Sequence, residues 1–158
     1  MPGPPPVASV GGAAGIPAER VPYRRPVKGG TMPRISKDSA PNVQDAGPAI
    51  DRSGDLDDIT VSFVTIRQGH SLAPLLRGLP GDSCQCPHWG YLLAGTITVS
   101  YADREETYEA GDAFYMLPGH VPAATADTEF IQFSPRQQLA ETLAVIKANA
   151  QTLMHTDS

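Results

Sequence analysis

Between Thr96 and Tyr101 apolar and polar residues alternate: Ile97, Val99 and Tyr101 fall on one face, and Thr96, Thr98 and Ser100 on the other. A period of two is the pattern of a half-buried β-strand. The first expected strand lies earlier, in ITVSFVTIR (Ile59 to Arg67), which is rich in β-branched and aromatic residues and bounded by Asp57, Asp58 and Gly69. After it comes SLAPLLRGLPGDS, where Pro74, Pro80 and Gly81 leave room for no more than a helical turn. Further short strands are expected at Trp89 to Leu93 before Gly95, Glu106 to Glu109 before Gly111 and Asp112, Ala113 to Leu117 before Pro118, Ala123 to Thr125, and Glu129 to Phe133. Short strands with regular turn signals predict an antiparallel sandwich or barrel.

After Phe133 the period changes. In SPRQQLAETLAVIKANAQTLM, residues Leu139, Leu143, Ile146, Ala150, Leu153 and Met154 follow helical spacing, with Ser134 as the expected N-cap, Pro135 at the first position and Gln137 completing a capping box. A helix is therefore expected over 135–154, with one stripe packed on the barrel or on a second subunit. At the other end, residues 1–31 are dominated by Pro, Gly and Ala. They are expected to be a disordered tail, dispensable for folding, because they cannot bury enough surface to offset ordering entropy. Residues 32–58 read as an extended, turn-rich, acidic lead-in, and Met32 offers an alternative start of translation.

A chain of 158 residues suits one domain with a tail. Its formal charge of −5 and pI near 5.2 argue against a nucleic-acid or anionic-membrane surface, since phosphate contacts need clustered Lys and Arg. There is no apolar run of the roughly 20 residues that a membrane span requires, and the N-terminus lacks a signal peptide's apolar core. A cytoplasmic location is the expectation. Cys84 and Cys86 are the only cysteines, and two residues apart on a strand they make a strained disulfide at best. As thiols in a reducing compartment they are small buried hydrophobes, redox-active groups or metal ligands.

From about Ile59 to Ser134, about half of the chain, the sequence resembles the cupin superfamily of small β-barrels. The carrying motif is GDAFYMLPGHVPA, with Gly111 and Asp112 at a turn, a strand from Ala113 to Leu117, then Pro118, Gly119 and His120. The family's other motif has two His separated by one residue, then a Glu and a Gly. Counting back from Gly95 puts His88 in the place of that Glu and Cys84 in the place of a His, with Cys86 between them. CxxPHxGY together with PGH also resembles a subgroup of small bacterial single-domain cupins that has no assigned activity. The resemblance implies an all-β fold, a cupin-type double-stranded β-helix (jelly-roll barrel) over 59–134 followed by the C-terminal α-helix. By the same analogy it implies a homodimer. Catalytic cupins usually hold metal with the two His and the Glu of one motif and the His of the other. Here the first three differ in identity, and His120 stands earlier than the usual ligand, so the fold carries over and the activity does not.

Side chains alternate along an extended strand, so Cys84, Cys86 and His88 share a face there unless Pro87 breaks the phase. If that face is the barrel lumen, His120 adds a fourth donor. Thiolates and imidazoles suit Zn²⁺, with Fe²⁺ second and Mg²⁺ or Ca²⁺ disfavoured. Gly90 on the same face leaves room for a small ligand. Each donor has a plainer reading: both cysteines as packing, both histidines as structural groups bonded to backbone. Trp89, Tyr91 and Tyr115 either line a pocket or belong to the core. Glu105, Glu106 and Glu109 read as a solvated acidic edge. No phosphate-binding glycine loop, nucleophile elbow or zinc-finger spacing is present.

Three functions follow as expectations. The first is a single-domain cupin binding a small molecule in its barrel beside a divalent metal, where an open coordination position would allow catalysis. The second is a non-catalytic metabolite-sensing module. The third is a binding module in which zinc, saturated by all four donors, is purely structural. Catalytic residues and substrate are not legible.

Overall fold

The computed structural model describes residues 33–156. The tail expected over residues 1–31 lies outside the described residues. Among the described residues nine strands and one long helix follow in order: β1 (Asn42–Asp45), β2 (Ala49–Leu56), β3 (Ile59–Ile66), β4 (His88–Ala94), β5 (Thr96–Ser100), β6 (Glu105–Glu109), β7 (Ala113–Met116), β8 (Val121–Ala124), β9 (Thr128–Pro135) and α1 (Arg136–Thr156). Two short 3₁₀ turns, Ala73–Leu75 and Pro80–Asp82, interrupt the loop between β3 and β4. All pairings are antiparallel, in a six-stranded sheet ordered β1-β2-β3-β9-β4-β7 and a three-stranded sheet ordered β6-β5-β8. No described helix is long and apolar enough to cross a membrane.

The strands after Ile59 fall close to their expected positions, but the lead-in does not. Residues 42–56 form a β-hairpin, and β2 pairs with β3 from Ala49↔Ile66 to Leu56↔Ile59. The segment AIDRSGDL shows no alternating pattern because some of its inward side chains, Asp51 and Ser53 among them, are polar. Backbone pairing with the apolar strand β3 holds it in the sheet. Asp57 takes the left-handed conformation (φ 59°) that the tight β2–β3 turn requires.

The helix also begins differently. Strand β9 runs through Ser134, which pairs with Thr60, and helical geometry begins only at Arg136. Ser134 is fully buried and does not cap α1; its hydroxyl is engaged by His88. The Arg136 amide instead donates to the Asp58 carbonyl.

The main core collects Ile66, Leu92, Ile97, Val99, Phe114, Met116 and Phe130 from both sheets. A second cluster, Leu76, Cys84, Cys86 and Leu139, lies under α1, with Leu143 and Ile146 packed against it. Leu139, Thr142 and Ala150 are buried along α1, whereas Leu153 and Met154 are exposed, so the apolar stripe docks as far as Ala150 and not over the last turn. Asn149 pins the helix by donating through Nδ2 to the carbonyls of Leu75 (2.9 Å) and Arg77 (2.8 Å).

Candidate metal centre

The segment before β4 bends at Cys86 instead of running as a strand, yet Cys84 is fixed by backbone. Its amide donates to the His120 carbonyl (2.9 Å), and its own carbonyl accepts from Gly119 (2.7 Å) and His120 (3.3 Å). This bridge joins the two sequence motifs. His88 opens β4 pointing inward, and the metal-binding atoms of Cys84, His88 and His120 lie within 4.8 Å of one another, with all three residues buried. Cys84 Sγ lies 3.4 Å from His88 Nε2, 3.7 Å from the Cys86 carbonyl and 4.0 Å from Thr142 Oγ1 on α1. The two imidazoles meet edge to face at 5.0 Å between centroids.

Each imidazole is oriented through Nδ1. His120 Nδ1 donates to the Leu117 carbonyl at 2.6 Å; a carbonyl only accepts, so the proton sits on Nδ1 and Nε2 keeps its lone pair. At His88 the corresponding contact is Nδ1 to Ser134 Oγ at 2.7 Å. Fixing the distal nitrogen of a histidine to oxygen is how metal sites set tautomer and ring orientation. Burial lowers the pKa of both histidines, that of His88 to about 3 with added repulsion from His120, so both are neutral at physiological pH. Burial raises the pKa of the Cys84 thiol, so metal binding there must displace its proton.

Cys86 is not part of this cluster. It is buried, its Sγ lies 3.5 Å from the Pro87 carbonyl, and its pKa is raised to about 12 by burial and by Cys84. The bend at Cys86 ends the period-two phase that would have placed all three side chains on one face; Cys84 and His88 meet nonetheless, and Cys86 packs.

Two other expectations need correction. Trp89, Tyr91 and Tyr115 do not line the cavity: they alternate away from inward-facing His88, Leu92, Phe114 and Met116 and remain 47, 47 and 43% exposed. They lie on the outer face of the large sheet, where Trp89 stacks on Tyr115 at 4.9 Å and pairs in register with half-exposed Phe133. Gly90 does point inward, but the space it leaves belongs to Phe114. A Cβ there would collide with the Phe114 ring and the Ile131 carbonyl. Tyr101 meets the His120 ring edge to face at 6.5 Å between centroids, and its hydroxyl accepts from the Leu117 amide at 3.1 Å.

That cavity, of about 80 Å³, is walled by Cys84, His88, Met116 and His120, by apolar residues of both clusters, and by Gln44 and Asp51 of the unexpected hairpin. Asp51 brings a carboxylate to the cavity lining, outside the Cys84–His88–His120 cluster. Its pKa is raised to about 6, chiefly by burial, against the opposing effect of the Ser62 and Ser53 hydroxyls. Only pairing with the legible strand β3 could have revealed it.

The sheet order, the Gly-Asp turn before β7 and the Pro-Gly-His after it fit a jelly-roll barrel. No protein-family model and no curated protein matches the chain. Among solved structures it is similar to a protein of unknown function from Rhizobium leguminosarum bv. viciae 3841, with a TM-score of 0.50 and 19% identity over 66% of this chain and 96% of that one. It is also similar to an RmlC-like cupin from Shewanella frigidimarina NCIMB 400, with a TM-score of 0.48 and 14% identity over 66% and 92%. KdgF from Halomonas sp. has a TM-score of 0.45 and 21% identity over 60% and 88%. The fold is an antiparallel jelly-roll barrel with a C-terminal helix. In this barrel the possible metal site consists of one thiol and two imidazoles.

Proposed function

We propose that this chain is a cupin that binds a divalent metal through Cys84 Sγ, His88 Nε2 and His120 Nε2, and a small molecule beside it in the barrel. The observation that carries the reading is the gathering of one ligand atom from each of Cys84, His88 and His120 within 4.8 Å, each imidazole held at Nδ1 by oxygen. A thiolate with two neutral imidazoles favours Zn²⁺ over Fe²⁺ and disfavours Mg²⁺ and Ca²⁺. With Cys86 outside the cluster, the four-donor set of a closed structural zinc site is not assembled. Three protein ligands leave a coordination position open to the cavity, as in zinc sites that bind water or substrate. When bound, the metal supplies Lewis acidity at that position.

A sensing role has one specific support. Thr142 of α1 lies 4.0 Å from Cys84 Sγ, so a change at the centre reaches the helix that covers it. Pairing of two copies is supported by the apolar outer face around Trp89, Tyr91, Tyr115 and Phe133, since contiguous exposed patches of this kind mark association sites.

Cobalt(II) substitution tests the metal reading. Binding should bring thiolate-to-cobalt charge-transfer absorption that disappears in Cys84→Ser, and a small exogenous anion should perturb the spectrum by taking the open position. Cobalt uptake without a thiolate band would contradict the assignment of Cys84.

A further inference from the structure

The hairpin β1–β2 brings a second kind of chemistry to the same cavity. Gln44 and Asp51 are direct partners in the β1–β2 register. Among the described residues, neither the buried Gln44 Nε2 nor the buried Asp51 Oδ1 finds a hydrogen-bond partner, although Asp51 Oδ2 accepts from Ser62 Oγ at 3.2 Å. Buried polar atoms are nearly always paired, and leaving one unpaired is costly. These two sit at a junction: both line the chamber holding Cys84, His88 and His120, and both line an outer cleft of about 570 Å³ between the hairpin and α1. The chamber has no Lys or Arg in its lining; the outer cleft has one, Lys147.

We infer that Gln44 and Asp51 are the recognition pair of the pocket, selecting a small molecule in which a carbonyl oxygen and an N–H stand side by side, the carboxamide group. Gln44 Nε2 donates to the carbonyl oxygen and Asp51 Oδ1 accepts from the N–H. The remainder of the ligand lies among Leu72, Leu76, Met116 and Phe130, toward the metal donors. At this pair an anionic group meets the Asp51 carboxylate and no Lys or Arg, so charge is disfavoured at the end of the ligand that faces Gln44 and Asp51. The chamber's volume limits the ligand to a few heavy atoms. This inference rests on the reading of the cavity as a ligand site, and it requires no particular metal.

Amide-resolved NMR titration of the full chain with propionamide, methyl acetate and propionate, which are nearly equal in size, tests it at pH 7.5. Propionamide should bind with perturbations centred on Gln44, Asp51 and Met116, about tenfold more tightly than methyl acetate, which lacks the donor, and propionate should leave Gln44 and Asp51 unperturbed. Asp51→Leu should remove the preference of propionamide over methyl acetate, and Gln44→Leu should weaken both alike, with metal content unchanged in each. Equal affinity for amide and ester, an undiminished preference in Asp51→Leu, or no pocket perturbation by any of the three compounds overturns the inference. Metal content measured on the same samples separates the two proposals. Loss of metal with the amide preference intact counts against the metal centre alone, whereas full metal without the preference counts against the recognition pair alone.

Discussion

His88 Nδ1 lies 2.7 Å from Ser134 Oγ, so the residue whose sequence context marks a helix start is committed to orienting an imidazole of the candidate metal centre. When metal occupies Nε2, Nδ1–H must donate to that hydroxyl. Ser134→Ala removes the acceptor without touching a ligand. It should lower zinc affinity about 10- to 100-fold, the usual cost of losing such a partner, with a circular-dichroism spectrum like that of the unaltered protein. Chelator competition measures it, and unchanged affinity would mean that Ser134 does not support the site.

At Gly90 the fold itself is at stake. The Phe114 ring occupies the space that a Cβ would need, so Gly90→Ala must displace that ring or the β9 backbone at Ile131. Overpacking of this kind costs about 1–3 kcal/mol, which should appear as a melting temperature several degrees lower. Gly90→Ala combined with Phe114→Leu should recover part of the loss. A Gly90→Ala variant as stable as the parent would show that the strands tolerate the collision.

Asp51 gives a pH signature of unusual sign. Its pKa is raised from the ordinary 3.8 to about 6, so between those values the folded chain holds a proton that the unfolded chain has lost. Stability from this group therefore falls as pH rises through that window and is lowest above it. Asp51→Asn, which cannot ionise, should stabilise the protein at pH 7 to 8 by on the order of 1–3 kcal/mol, with the gain vanishing below about pH 4. Thermal melts across pH check this. A constant difference between the two proteins would rule out Asp51 as the titrating group.

On the outer face, Trp89 and Tyr115 stack at 4.9 Å and both remain nearly half exposed. If two copies pair there, Trp89→Lys with Tyr115→Lys should convert a dimer to a monomer in light scattering at micromolar concentration, with the barrel's circular-dichroism spectrum retained. A parent protein that is already monomeric would remove this face as an interface between copies.

What the sequence made legible followed its apolar periodicity. β5 alternates Thr96, Ile97, Thr98, Val99 and Ser100 so regularly that its facing could be assigned from pattern alone, and the glycine turns before β5 and β7 stood where expected. Cys84, His88 and His120 were legible because two motifs converge on them. The hairpin with Gln44 and Asp51 was not, because inward polar residues erase the alternation that marks a strand, and only pairing with β3 makes the segment regular. Ser134 misled for a related reason: a serine before a helical pattern reads as a cap, and the histidine that claims it lies 46 residues away in sequence. Tertiary partners overrode local signals at both places.

Metal content of the full chain, purified anaerobically without added metal, addresses the central claim directly when measured alongside three variants checked for folding by circular dichroism. The parent should carry one metal ion per chain. Cys84→Ala and His120→Ala, which remove donors from the cluster, should each lose most of it, and Cys86→Ala, whose thiol is turned away toward Pro87, should retain it. Equal metal in all four folded proteins, or none in the parent, would contradict the account and leave Cys84, His88 and His120 as buried groups that only pack and hydrogen-bond.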